Sequence, residues 1–123
     1  MEPIRMLIID DHDDVREALE ARLDATPDVE VVGCTGCWET GLSKALALEP
    51  DVVLLETKRS DGEGLKALAC LTDQCASADV LVLTSYADAE ERAAARSNGA
   101  VRYLLKEIDT KQLVREIRSV TGK

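Results

Sequence analysis

The stretch DVVLLETKRSDGEGL, residues 51–65, decides the fold. It opens as an apolar, β-branched run, DVVLLE (51–56), the pattern of a strand buried on both faces. Glu56 closes that run with a carboxylate, and a loop of charged and glycine residues follows. Leu65, Leu68, Ala69 and Leu71 then recur at helical spacing. A buried strand that hands an acid to a loop and continues as a helix is one half of a parallel β-α unit.

The same unit repeats on either side. MLIID (6–10), VEVVG (29–33), DVLVLT (79–84) and VRYLLK (101–106) read as four further strands. Between them, Val15, Ala18, Leu19 and Leu23 form one helical face and Leu42, Ala45, Leu46 and Leu48 another. AEERAAARSNG supplies an Ala-rich helix expected to stop at Asn98-Gly99. TKQLVREIRSV closes the chain with Leu113, Val114, Ile117 and Val120 on one face and Thr110 as the expected cap. Strict alternation of strand and helix implies an α/β fold with a parallel sheet covered on both faces.

Composition agrees and excludes alternatives. The 123 residues suffice for one domain with an aliphatic core, since aromatics are only 2% and Phe is absent. A net charge of −9 disfavours contact with phosphate backbones, so no nucleic acid is expected to bind this domain itself. No apolar run approaches a membrane span and the amino terminus lacks a signal-peptide layout, so a cytoplasmic location is expected. Cys34, Cys37, Cys70 and Cys75 are expected to be reduced. Cys34-Thr-Gly-Cys37 leaves a thiol redox switch as an alternative.

In doubly wound sheets ligands gather beyond the carboxyl ends of the strands. Those ends carry Asp10 and Asp11, then Glu56, then Thr84, then Lys106. Crowded carboxylates need a cation among them, and a hard divalent ion with oxygen ligands, Mg²⁺, is the candidate cofactor beside the Lys106 ammonium. Asp13 or Asp14 is expected to serve the first helix as a cap. A phosphatase built on an Asp-x-Asp pair would use Asp11 and Asp13, but the chain has no length for a cap domain. Walker and GxGxxG phosphate loops are absent.

With IIDDH (8–12), DVVLLE (51–56), LVLTSYAD (81–88) and GAVRYLLKE (99–107) in register, the chain resembles the receiver domain of two-component response regulators, in its NarL-like branch. The resemblance spans essentially all of residues 1–123. It implies a five-stranded, flavodoxin-like sheet in the order 2-1-3-4-5 and a signalling domain that is not an enzyme. Carried over by position, Asp10 and Asp11 would hold Mg²⁺ together with Glu56 and the backbone carbonyl of Lys58. Thr84 and Tyr103 would be the switch residues, and Lys106 would contact the phosphoryl group.

The phosphoacceptor position is Glu56, where receivers carry Asp. The longer side chain displaces the carboxylate by roughly 1.5 Å, and a shift of about 1 Å costs on the order of a hundredfold in rate. Arg59 and Ser60 replace an apolar residue and Pro in the loop that follows, whereas Gly64 keeps its place. The resemblance therefore implies a phosphorylation-independent receiver, with an ordinary phospho-accepting one that uses a neighbouring acid as the alternative. Two roles stay open for Glu56: it biases the domain toward an active-like state, or it pairs with Lys106 and locks an inert scaffold. Implied partners are a sensor histidine kinase or another signalling protein, and a second copy as a homodimer. Members of this branch usually continue into a DNA-binding domain, so the chain is either free-standing or the amino-terminal part of a longer transcription regulator.

Overall fold

Five strands, β1 (Ile4–Ile9), β2 (Val29–Thr35), β3 (Val52–Leu55), β4 (Asp79–Thr84) and β5 (Arg102–Leu105), form one parallel sheet in the order β2-β1-β3-β4-β5. The computed structural model describes residues 2–122. Every strand pairing is parallel, with Ile8 opposite Leu54, Leu54 opposite Leu81 and Leu81 opposite Arg102 from β1 through β3 and β4 to the edge strand β5. β4 matches the expected strand residue for residue, and the others differ by one or two positions at their ends.

Period-two alternation divides the core between two layers. Met6 and Ile8 of β1 and Leu54 of β3 pack with Leu19 and Leu23 of α1 (Asp13–Asp24) and Leu113 and Ile117 of α5 (Thr110–Thr121). On the opposite face Leu7, Ile9, Val53 and Leu55 meet α2 (Trp38–Leu48), α3 (Gly64–Gln74) and α4 (Ala89–Ser97) through Trp38, Ala45, Leu68, Leu71 and Ala95. Each fully buried Leu or Ile is worth about 1.5–3 kcal/mol in apolar burial.

Several expectations are corrected by this packing. Val15, Ala18, Leu46 and Leu65 are exposed at the margins of their helices, because the buried stripe is narrower than the apolar pattern. Trp38 and Gly41 are buried instead, with the Gly41 backbone against Ile9. The cap of α5 is Asp109, not Thr110: its carboxylate accepts from the Lys111 N–H at 2.8 Å, and Thr110 is the first helical residue. Asp13 and Asp14 lie inside the first turn of α1, where acids complement the positive end of the helix dipole, and His12 takes the cap position.

Two glycines are dictated by geometry. Gly99 has φ of +104° and follows Asn98, the residue that ends α4. A Cβ on Gly64 would sit 1.8 Å from the Thr57 carbonyl oxygen, so α3 starts hard against the end of β3. That contact fixes both ends of the loop that begins with Glu56.

Candidate functional site

The carboxyl edge of the sheet collects the side chains the sequence pointed to. Asp10 follows β1, Glu56 follows β3, Thr84 ends β4 and Lys106 follows β5, and Asp10, Glu56 and Thr84 are all buried. Lys106 joins the two acids. Its ammonium donates to Asp10 Oδ2 and lies 2.9 Å from Glu56 Oε1. The second oxygen of Glu56 accepts from the Lys58 N–H at 3.0 Å. The second oxygen of Asp10 accepts from the His12 N–H at 2.9 Å and lies 3.0 Å from His12 Nδ1. Buried ions persist only when paired and hydrogen-bonded, and this cluster meets that requirement from within the chain.

Asp11 keeps one oxygen beside the cluster, Oδ1 3.4 Å from His12 Nδ1, and turns the other to the loop after β3. Its Oδ2 accepts from the Ser60 N–H at 2.8 Å and from Ser60 Oγ at 2.5 Å. Burial pushes its carboxyl up, but those two hydrogen bonds and the charges of Arg59 and His12 outweigh burial and leave it below the ordinary value. Ligand atoms of Asp10, His12 and Glu56 lie within 4.8 Å of one another, so His12, and not Asp11, completes the tightest potential metal group. The Lys58 N–H and ammonium are spent on Glu56 and Glu91.

The donor set does not fit a hard divalent ion in this arrangement. Among the carboxylate oxygens of Asp10, Asp11 and Glu56, only Asp11 Oδ1 is buried without a hydrogen-bond partner. Mg²⁺ needs near-octahedral oxygens at about 2.0–2.1 Å. A lysine ammonium already stands between the two deepest acids.

The switch residues are apart from the acids. Thr84 Oγ1 reaches only the Tyr86 backbone, at 3.4–3.5 Å. Tyr103 is half-buried, and its hydroxyl donates to Glu91 Oε1 at 3.0 Å. Glu91 is the residue that sequence reading missed. It also accepts from Thr57 Oγ1 at 2.8 Å and pairs with Lys58 Nζ at 2.8 Å, tying the loop after β3 to α4 and β5. Burial raises the Tyr103 phenol above its ordinary value, and the bond to Glu91 raises it further. Only the helical offset of Glu91 from the Asp88 cap, whose side chain accepts from the N–H of Glu90 and Glu91, marks it in the sequence as facing inward.

Two of the four thiols are the reverse of activated. Burial pushes the Cys34 and Cys75 thiols up, with Glu20 adding to the effect at Cys34, which is the reverse of a reactive cysteine. Asp13 pairs with Arg16 at 2.9 Å on the exposed start of α1, away from a second-acid role.

A buried acid at the end of β3, a lysine after β5 and an acid pair after β1, on a 2-1-3-4-5 sheet, define a receiver-type signalling domain. The chain belongs to the response regulator receiver domain family, which it matches over residues 6–118. It is 34% identical over 118 residues to the transcriptional regulatory protein LiaR of Bacillus subtilis, covering 96% of this chain and 56% of that protein. It is 31% identical over 121 residues to the nitrate/nitrite response regulator NarL of Escherichia coli, covering 98% and 56%. The chain thus spans about half the length of the curated relatives it matches. The response regulator domain of Thermotoga maritima CheB superposes with a TM-score of 0.85 at 27% identity, covering 99% of this chain and 98% of that one. Receiver domains of this family bind Mg²⁺ at an acidic pocket. Among the described residues no helix is long and apolar enough to cross a membrane.

Proposed function

We propose that the chain is a response-regulator receiver whose signalling does not pass through phosphorylation of its acceptor position. The observation that carries this reading is the state of Glu56. It is 3% exposed, with one oxygen on the Lys106 ammonium and the other on the Lys58 N–H. A nucleophilic carboxylate must present a free oxygen in line with an incoming phosphorus atom. Both oxygens of Glu56 are held, and its extra methylene carries them past the point an aspartate would occupy. The pairing with Lys106 favours Glu56 as an internal counter-charge that holds one conformation over Glu56 as an imitation of a phosphoryl group.

In this reading Asp10 and Lys106 are charge partners of Glu56, Tyr103 reports the position of α4 through Glu91, and Thr84 that of the loop at Tyr86. The domain acts in the cytoplasm on a signalling protein, and in a longer regulator it would govern a DNA-binding domain. The test is intact-mass analysis of the wild type and Glu56→Asp after incubation with acetyl phosphate and MgCl₂. No adduct is expected on the wild type. An adduct there, mapped to Glu56 or a neighbouring acid, would restore an ordinary phospho-switch. An adduct on the variant alone assigns the block to the extra methylene. With none on either protein, the block extends to the loop and Asp11.

A further inference from the structure

Arg59 is the least accessible cation at the acidic edge: its side chain is 2% exposed, against 10% for Lys106 and 30% for Lys58. Nη2 donates to the Gly36 carbonyl at 2.5 Å, Nε pairs with Asp61 Oδ2 at 3.1 Å, and Nη1 is buried with no hydrogen-bond partner. The guanidinium is therefore anchored between the β2–α2 turn and its own loop. It cannot leave without breaking both anchors. A guanidinium is charged at every accessible pH, so the positive charge at this point is permanent. Ser60, the next residue, closes on Asp11 with two donors at 2.8 and 2.5 Å.

We infer that Arg59, Ser60 and Lys106 together take the place of the divalent ion: the chain's own cations stand where its charge would be, and Ser60 latches the β3–α3 loop to Asp11 without Mg²⁺. An incoming ion would have to displace Ser60 from Asp11 or Lys106 from Asp10 and Glu56, and would do so against the fixed charge of Arg59. The one buried oxygen left open, Asp11 Oδ1, gives a single anionic ligand where a hard cation needs an oxygen cage. The inference concerns the same pocket and rests on the phosphorylation-independent reading, but ion binding is measured apart from phosphoryl transfer, so either can fail alone.

Trp38 supplies the probe, because its indole N–H donates to Glu63 Oε1 at 3.0 Å and Glu63 stands at the end of the same loop. MgCl₂ is titrated into wild type, Ser60→Ala and Arg59→Met, followed by Trp38 fluorescence and by calorimetry. The wild type is expected to melt at the same temperature with and without MgCl₂, and both variants to bind the ion at least about tenfold more tightly than the wild type. If Arg59→Met does not fold, Ser60→Ala carries the comparison, since it removes one hydroxyl from an exposed residue. Saturable low-millimolar binding by the wild type, or variants that bind no more tightly than it does, overturns the inference.

Discussion

Replacing Glu91 by Ala removes one carboxylate and leaves three donors without their acceptor. Thr57 is buried and the Tyr103 hydroxyl is half-buried, so each loses a hydrogen bond to a charged group that water replaces poorly. At about 1–1.5 kcal/mol net for each, the cost is about 2–3 kcal/mol. Lys58 is left out of that sum because its ammonium reaches solvent. For a domain of this size about 1 kcal/mol corresponds to about 3–5 °C in melting temperature, so Glu91→Ala is expected to melt about 10 °C lower. Glu91→Gln keeps an acceptor for the two hydroxyls and loses only the charge, so it should recover most of that stability. The two variants separate again in the titration of Tyr103, followed by alkaline difference absorbance in a Tyr86→Phe background that leaves one tyrosine. Removing the charge lowers the Tyr103 pKa in both, while removing the bond matters only in Ala. Because the folded value is raised, this network stabilises fully below about pH 10 and its contribution is lost as pH rises through the folded value. A melting temperature within about 2 °C of wild type for Glu91→Ala, with an unmoved tyrosine titration, would refute the network.

Gly64→Ala places a Cβ 1.8 Å from the Thr57 oxygen, so the start of α3 or the end of β3 must move. The expected loss is at least about 3 kcal/mol by urea denaturation, and a near-neutral result would mean that this junction is loose. Burial raises the pKa of Asp79, the first residue of β4, so its ionised form costs stability at neutral pH and the protonated form does not. Asp79→Asn should therefore raise the melting temperature at pH 7, with the gain shrinking below about pH 4, and equal gains at both pH values would contradict that cause.

The fold was legible because the central strands of a sheet covered on both faces carry unbroken apolar runs, VVLL in β3 and VLVL in β4, with polar residues in β4 only at its two ends. Site residues at strand ends were legible for the same reason: an acid directly after VVLL or a lysine after YLL interrupts a buried pattern. The helix margins were not. Val15, Leu46 and Leu65 look like core by spacing, yet the buried stripe is narrower than that pattern and leaves them exposed. Tertiary contacts made from loops escaped the sequence as well. Ser60 meets Asp11 across forty-nine positions and Thr57 meets Glu91 across thirty-four, and no local period links such residues. Arg59 stood out in sequence only as a departure from the family pattern; its burial came from the Gly36 carbonyl it reaches.

The linkage of Asp10 and Glu56 through Lys106, and of Asp11 to Ser60, has a consequence for any change at the acceptor position. Glu56→Asp alone draws the carboxylate back from Lys106 and the Lys58 N–H. Arg59→Met alone strips Asp11 of a permanent counter-charge, and Ser60→Ala takes the hydroxyl donor from the Asp11 carboxylate while the backbone N–H stays. Every single step toward an ion-binding acceptor site loses stability before any new chemistry repays it, and a domain with a few kcal/mol to spare tolerates few such steps. On the proposed reading, an aspartyl acceptor is reached across less stable intermediates, whereas substitutions that keep the internal cations cross level ground.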